Sequence, residues 1–241
     1  MPQLEQSPGN CALEKALIVI NPNSAQSVTD GIDAAMTPLR AMGIPIRCVT
    51  LAQGPPGIES QRQADLTIAP MLRLAADLTD QARGYVIACF GDPGLHALRD
   101  ATTLPVLGIQ EAAVMTALTL GQRFGVIAIL PASIPRHLRS FGAMGVLDRL
   151  AGDRALGLGV AELAEPGRSL TAMIATGRKL RDIDGADVLI MGCAGMAAYR
   201  TVLEAELGLP VVEPCQAAAA MALGAITLGH SHRIVKRSME C

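Results

Sequence analysis

Tryptophan is absent from this 241-residue chain, and tyrosine and phenylalanine number only two and three. Platforms on which nucleobases or sugar rings stack are therefore poorly supplied. Clusters of one charge are missing too: 20 Lys and Arg stand against 22 Asp and Glu, a formal net charge of −2, with no basic run anywhere. That balance argues against a nucleic-acid partner. No apolar run reaches the roughly 18 residues of a membrane helix, and the N-terminal MPQLEQSPGNCALEK carries neither a basic nor an apolar leader. The expected setting is the cytoplasm, with no membrane partner. Six cysteines, Cys11, Cys48, Cys89, Cys193, Cys215 and Cys241, occur singly, without CxxC or zinc-ligand spacing, and read as free thiols.

What the chain does have is apolar content, at half its residues, enough to bury a sizeable core without staples. Short apolar runs alternate with helix-like segments: ALIVI at 16–20, YVIA at 85–88, PVLGI at 105–109, FGVIAIL at 124–130, DVLIM at 187–191 and PVVE at 210–213. This is the pattern of an α/β protein with parallel strands covered on both faces. The stretch YVIACFGDPGLHALRDATTLPVLGIQEAA also overlays DVLIMGCAGMAAYRTVLEAELGLPVVEPCQAAA, element for element, with Cys89 on Cys193. Sixteen residues separate Cys89 from Pro105 and seventeen separate Cys193 from Pro210, and an Ala-rich segment follows each strand. ALIVINPNSAQS corresponds to FGVIAILPASIP at a similar offset. A period of about 100 residues is that of a duplicated α/β lobe. Lobe 1 is expected over 16–113 plus 217–241, with the last helix packing back on it, and lobe 2 over 114–216. The tail GHSHRIVKRSMEC reads as frayed.

Open parallel sheets bind ligands beyond the carboxyl ends of their strands, where Cys89 and Cys193 both fall. Asp92 is expected to cap a helix that Pro93 starts, and Gly192 and Gly195 frame Cys193 in a turn of small residues. Such settings stabilise a thiolate and lower the thiol pKa. Two facing lobes that each donate a thiol place a base on one side of a substrate and an acid on the other, the geometry for inverting a stereocentre next to a carbonyl.

VINPNS, ACFGDPGL, PVLGIQEAA and GCAGM, in that order, resemble the hydantoin racemases of the aspartate/glutamate/hydantoin racemase superfamily, over roughly residues 16–229. The resemblance implies two pseudo-symmetric Rossmann-like lobes and cofactor-independent racemisation by Cys89 and Cys193 in the cleft between them. It implies a small-molecule substrate, a homo-oligomer, and substrate contacts from Asn21, Asn23 and Ser24 and from the neighbours of each cysteine, Phe90, Gly91, Ala194 and Gly195. Glu111 matches an acidic position of the family motif. Many hydantoin racemases carry DG after PV in the second lobe, where this chain reads VVEPCQAAAA. Retention of both cysteines disfavours the one-cysteine arylmalonate decarboxylases of the same superfamily.

Plainer readings stand beside these. Asn21 and Asn23 suit a tight turn, Ser24 can cap the following helix, and Glu111 suits a helix's first turn. Cys48 reads as strand packing in IRCVTL, and Cys215 lies near a strand end. His96 and His137 read as helix-surface residues, and His230 with His232 form an HxH lacking a third metal ligand. GLGVAELAEPG at 157–167 lacks the spacing of a dinucleotide site. Allantoin, aspartate or glutamate are alternative substrates, and a bilobal protein that merely binds a small ligand is the non-enzyme alternative.

Overall fold

The central strands of each half are almost wholly apolar because helices cover both their faces. A computed structural model describes residues 14–233. Its first sheet has the order β2-β1-β3-β4, with β1 (Ala16–Asn21), β2 (Ile46–Thr50), β3 (Ala82–Ile87) and β4 (Val106–Gly108). A second sheet repeats it as β6-β5-β7-β8, with β5 (Phe124–Ala128), β6 (Leu150–Ala155), β7 (Val188–Met191) and β8 (Val211–Val212). Every pairing is parallel. Edge strand β6, LAGDRA, is only partly buried along its whole length and is not among the apolar runs of the sequence. Among the described residues no helix is long and apolar enough to cross a membrane.

Two outer layers are built alike. Helices α2 (Gln61–Asp77) and α3 (Leu95–Ala101) bury Met71, Ala75, Leu95 and Leu98 on one face of the first sheet. Helices α6 (Pro166–Asp182) and α7 (Arg200–Leu207) bury Met173, Leu180, Leu203 and Leu207 on the second. Between the sheets lies one shared core, to which α1 (Gln26–Ala35) contributes Ile32 and α5 (Ile134–Met144) contributes Phe141.

The remaining two helices cross over. α4 (Ile109–Leu120) leaves the first sheet yet packs against β5, β7 and β8 as well as β4, whereas α8 (Pro214–Thr227) leaves the second sheet and lies on β1, β3 and β4. They also pack against each other, and alanines at 112, 113, 117, 217, 218, 219 and 222 let them approach closely. The expected lobe boundaries at 113/114 and 216/217 fall inside these two helices.

Both crossing helices are capped by a carboxylate, from different places. Glu213 accepts from the amides of Cys215 and Gln216 at the start of α8. The equivalent position before α4 is Gly108, and the Asp92 carboxylate fills the space instead, accepting from Gln110 N and Glu111 N at 2.9 Å each. Asp92 therefore does not cap its own helix: α3 starts only at Leu95, behind Gly94 with φ 72°, and Asp92 sits at φ 47° with its side chain turned to α4. A Cβ on Gly108 would lie 2.2 Å from the Asp92 Cγ, although φ at Gly108 is −92° and suits any residue. Gly108→Ala is thus expected to expel Asp92 from the cap and cost about 1–2 kcal/mol in urea denaturation. The same change in an Asp92→Ala background should cost clearly less, because the clash is gone.

Candidate active site

Each cysteine stands two residues beyond the end of the strand that carries it, Cys89 after β3 and Cys193 after β7. Both side chains are half-buried, and both are free thiols. The Gly195 amide donates to the Cys193 sulfur at 3.4 Å. Burial, with the Cys193 thiol and Asp92 adding to it against the cation of Arg136, pushes Cys89 up to about 12. Burial pushes Cys193 up to about 11, opposed by the Gly195 amide and assisted by the Glu59 carboxylate. The expected lowering of the thiol pKa is thereby reversed. Desolvation outweighs the available donors, and no helix begins directly behind Cys89.

Two cavities flank the cysteine loops, and they are pseudo-symmetry mates. The larger, about 380 Å³, lies between α1 with its cap residue (Ala25, Val28, Gly31) and the turn after Cys193 (Ala194, Gly195, Ala197). The smaller, about 70 Å³, lies between α5 (Arg136, Arg139) and the turn that holds Cys89, Phe90, Gly91 and Pro93. Counted from the first helical residue, Val28 and Arg136 are both third, and Gly31 and Arg139 both sixth. Each cavity thus takes one wall from each lobe, apolar in one case and cationic in the other. A third wall of the larger cavity is Val160, Ala161 and Leu163, from the glycine-containing stretch that lacked a dinucleotide motif. Two hydrogen bonds tie the lobes together here, from Val160 N to Glu59 Oε1 at 2.9 Å and from Arg139 to Gln61 at 2.8 Å.

The other sequence candidates divide sharply. Asn21 is fully buried, and its Nδ2 donates to Asn23 Oδ1 (3.0 Å), the Ala25 carbonyl (3.2 Å) and Thr29 Oγ1 (3.0 Å), which makes it the brace of the loop. Asn23 Oδ1 also accepts from Ala25 N, while its Nδ2 makes no hydrogen bond among the described residues. Ser24 does not cap α1, whose cap residue is Ala25. Ala194 and Gly195 line the larger cavity, and Phe90 and Gly91 the smaller. Glu111, the acidic position of the family motif, gives both oxygens to Arg99, at 2.8 and 3.1 Å, and Arg99 also holds the Val106 carbonyl. Arg200 repeats that brace in the second half through the Val211 carbonyl and Gln216.

Further readings are corrected outside the cleft. His137 is 1% exposed rather than on a helix surface, hydrogen-bonded through Nδ1 to Asp153 at 2.8 Å, while His96 is exposed as expected. His232 is not a free tail residue: it accepts from Val106 N at 3.1 Å. Cys48 packs from β2 against the central core, and Cys215 is fully buried in the first turn of α8. Cys11, Cys241 and the tail from 234 lie outside the described residues. Arg136 escaped the sequence reading because a lone arginine in an amphipathic helix carries no signal of its own. Comparing RHLR of the second half with VTDG of the first at matched helix positions would have exposed it. Among the described residues no cluster of three His, Cys, Asp or Glu is placed to hold a metal ion.

Comparison with known proteins agrees with this architecture. The model of the Asp/Glu/Hydantoin racemase family matches residues 17–222. A hydantoin racemase of Paenarthrobacter aurescens is 33% identical over 218 residues, 89% of this chain and 92% of that protein. Among solved structures, allantoin racemase from Klebsiella pneumoniae superposes with a TM-score of 0.82 at 30% identity, covering 91% of each chain. Allantoin racemase from Pseudomonas fluorescens gives 0.85 at 27% identity, over 92% of this chain and 94% of that one. A duplicated parallel α/β fold with a thiol at equivalent strand ends, matched along most of its length, places the chain in the Asp/Glu/hydantoin racemase family, as an enzyme of the racemase class.

Proposed function

We propose that the protein racemises 5-substituted hydantoins without a cofactor, with Cys89 and Cys193 as a two-base pair, as a cytoplasmic homo-oligomer. The observation that carries this reading is the pair of free thiols standing two residues beyond matched strand ends, one in each half, each followed by a turn that lines a cavity shared with the other half. In one direction the Cys89 thiolate takes the C5 proton and the C–H electron pair moves onto the adjacent carbonyl oxygen as an enolate. The Cys193 S–H then gives its proton to the opposite face, leaving a Cys193 thiolate and a Cys89 thiol. The reverse direction exchanges the roles. Turn amides and the free Asn23 Nδ2 are suited to the ring's carbonyl groups.

The larger cavity supports an apolar 5-substituent. Its walls are mainly Ala, Gly, Val, Leu and Pro, with Ser27 among them and no charged side chain. A second reading, allantoin, is favoured by the likeness to two allantoin racemases. Its ureido group would leave polar atoms unmatched against those walls. The test follows optical rotation and C5 exchange in deuterated water for single enantiomers of 5-benzylhydantoin, allantoin and aspartate, with the spontaneous rate subtracted. Faster inversion of the benzyl compound supports the reading. Ligand binding without inversion of any of them overturns it.

The pH dependence follows from the thiols. Catalysis needs one thiolate in the couple, and burial holds the pair at about 12 and 11. Below those values the thiolate fraction grows as protons are lost, so kcat/KM should climb without a plateau from about pH 7 to 9. A flat profile over that range contradicts the buried-thiol account.

A further inference from the structure

The two halves differ most in charge where they are most alike in position. At the third residue of the helix facing each cysteine loop, the first half has Val28 and the second has Arg136. Arg136 and Cys89 line the same small cavity. The guanidinium is only partly satisfied: Nη2 donates to Ser133 Oγ at 3.2 Å, while Nε is buried without a partner. Among the described residues no carboxylate lies within ion-pair distance of it. Arg139, one turn on, is engaged with Gln61. A partly buried cation with an open donor needs an acceptor, and a carbonyl that becomes an enolate supplies one whose charge grows during the reaction.

We propose that Arg136 is a catalytic residue that donates to the carbonyl oxygen bearing the enolate charge beside Cys89, and so fixes which end of the substrate lies there. The inference rests on the racemase reading above and adds a polarity to it. The electron-rich edge of the ring points to the cationic cavity, and the side group points to the apolar one lined by Val28 and Gly31. The pseudo-twofold axis relates the thiols, whereas the substrate sees two chemically different ends.

The experiment measures kcat and KM of Arg136→Gln and Arg136→Lys with 5-benzylhydantoin, and calorimetric binding of 5,5-dimethylhydantoin, which has no C5 proton to lose. Arg136→Gln should lose about 100-fold or more in kcat/KM, mostly in kcat, since the charge it meets develops in the transition state. Arg136→Lys keeps the charge without the two-pronged donor and should recover part of the loss. Should Arg136→Gln fail to fold, a loss of about tenfold in Arg136→Lys with dimethylhydantoin affinity nearly kept carries the same meaning. An active wild type whose Arg136→Gln and Arg136→Lys variants turn over equally well overturns the role of Arg136 alone. A wild type inactive on every hydantoin overturns the proposed function and this inference with it.

Discussion

A Cys193→Ser variant is expected to lose racemisation by about a thousandfold or more, yet still exchange the C5 proton of one enantiomer with solvent. The hydroxyl of serine is far too weak an acid and base to replace a thiol, so under the proposed two-base scheme only Cys89 would remain able to move a proton, on one face of the ring. A substrate whose C5–H points at Cys89 is deprotonated and reprotonated on that face, so deuterium enters without inversion. Its mirror image presents the proton to the disabled side and stays unlabelled. Cys89→Ser should show the opposite selectivity, and the two half-reactions together define the couple. Both side chains are half-buried and the exchange is nearly isosteric, so unchanged thermal midpoints are expected alongside. A single variant that labels both enantiomers, or still inverts either, is incompatible with one base on each side.

The largest stability effect is expected at Asp153. Its Oδ2 meets His137 Nδ1 at 2.8 Å, both side chains are 2% exposed, and Asp153 Oδ1 has no partner among the described residues. Around this pair the aromatic residues gather: Phe90 sets its edge against the imidazole at 4.9 Å and 78°, and Phe141 lies 6.1 Å away. Phe90 belongs to the Cys89 loop and His137 to α5, so the pair supports a contact between the two lobes. Asp153→Ala removes one partner and leaves a buried imidazole without its bond, a change expected to cost about 2–3 kcal/mol. Asp153→Asn retains an oxygen in place and should cost roughly 1–2 kcal/mol. By contrast, Arg178→Ala at the exposed pair with Glu206 should lower the stability by no more than about 1 kcal/mol. Urea denaturation of the three variants separates these ranks, and a destabilised Asp153→Ala enzyme should also lose activity through the displaced Phe90.

How far the sequence carried can be judged from particular residues. The duplication was legible because Cys89 and Cys193 sit in segments whose strand and helix spacings agree within one residue. Apolar runs disclosed the central strands, since burial on both faces leaves little room for polar residues. Strand β6 escaped because an edge strand is only partly covered, and LAGDRA has no pattern to notice. Asp92 looked like a local cap because capping is usually local. Its true partners lie 18 and 19 residues on, and only the missing side chain at Gly108 admits it. Glu111 matched a motif, but the motif position says nothing of Arg99, which reaches it from another helix. Thiol acidity was misjudged for a related reason. The turn was visible in the residues around each cysteine, whereas its desolvation depends on what the opposite lobe lays over it.

The crossing of α4 and α8 has a consequence for how the molecule comes apart. Each sheet is completed by a helix that the other sheet's last strand delivers, so neither half retains a finished core if its neighbour melts. Two sheets that look like separable units are thereby bound to unfold in one transition. An isolated half-chain would regain its missing cover only by borrowing the helix of a second copy, which is the arrangement of a swapped dimer. The single polypeptide reads as such a dimer joined end to end, and in one chain the two matched positions are free to differ, Arg136 in one half and Val28 in the other.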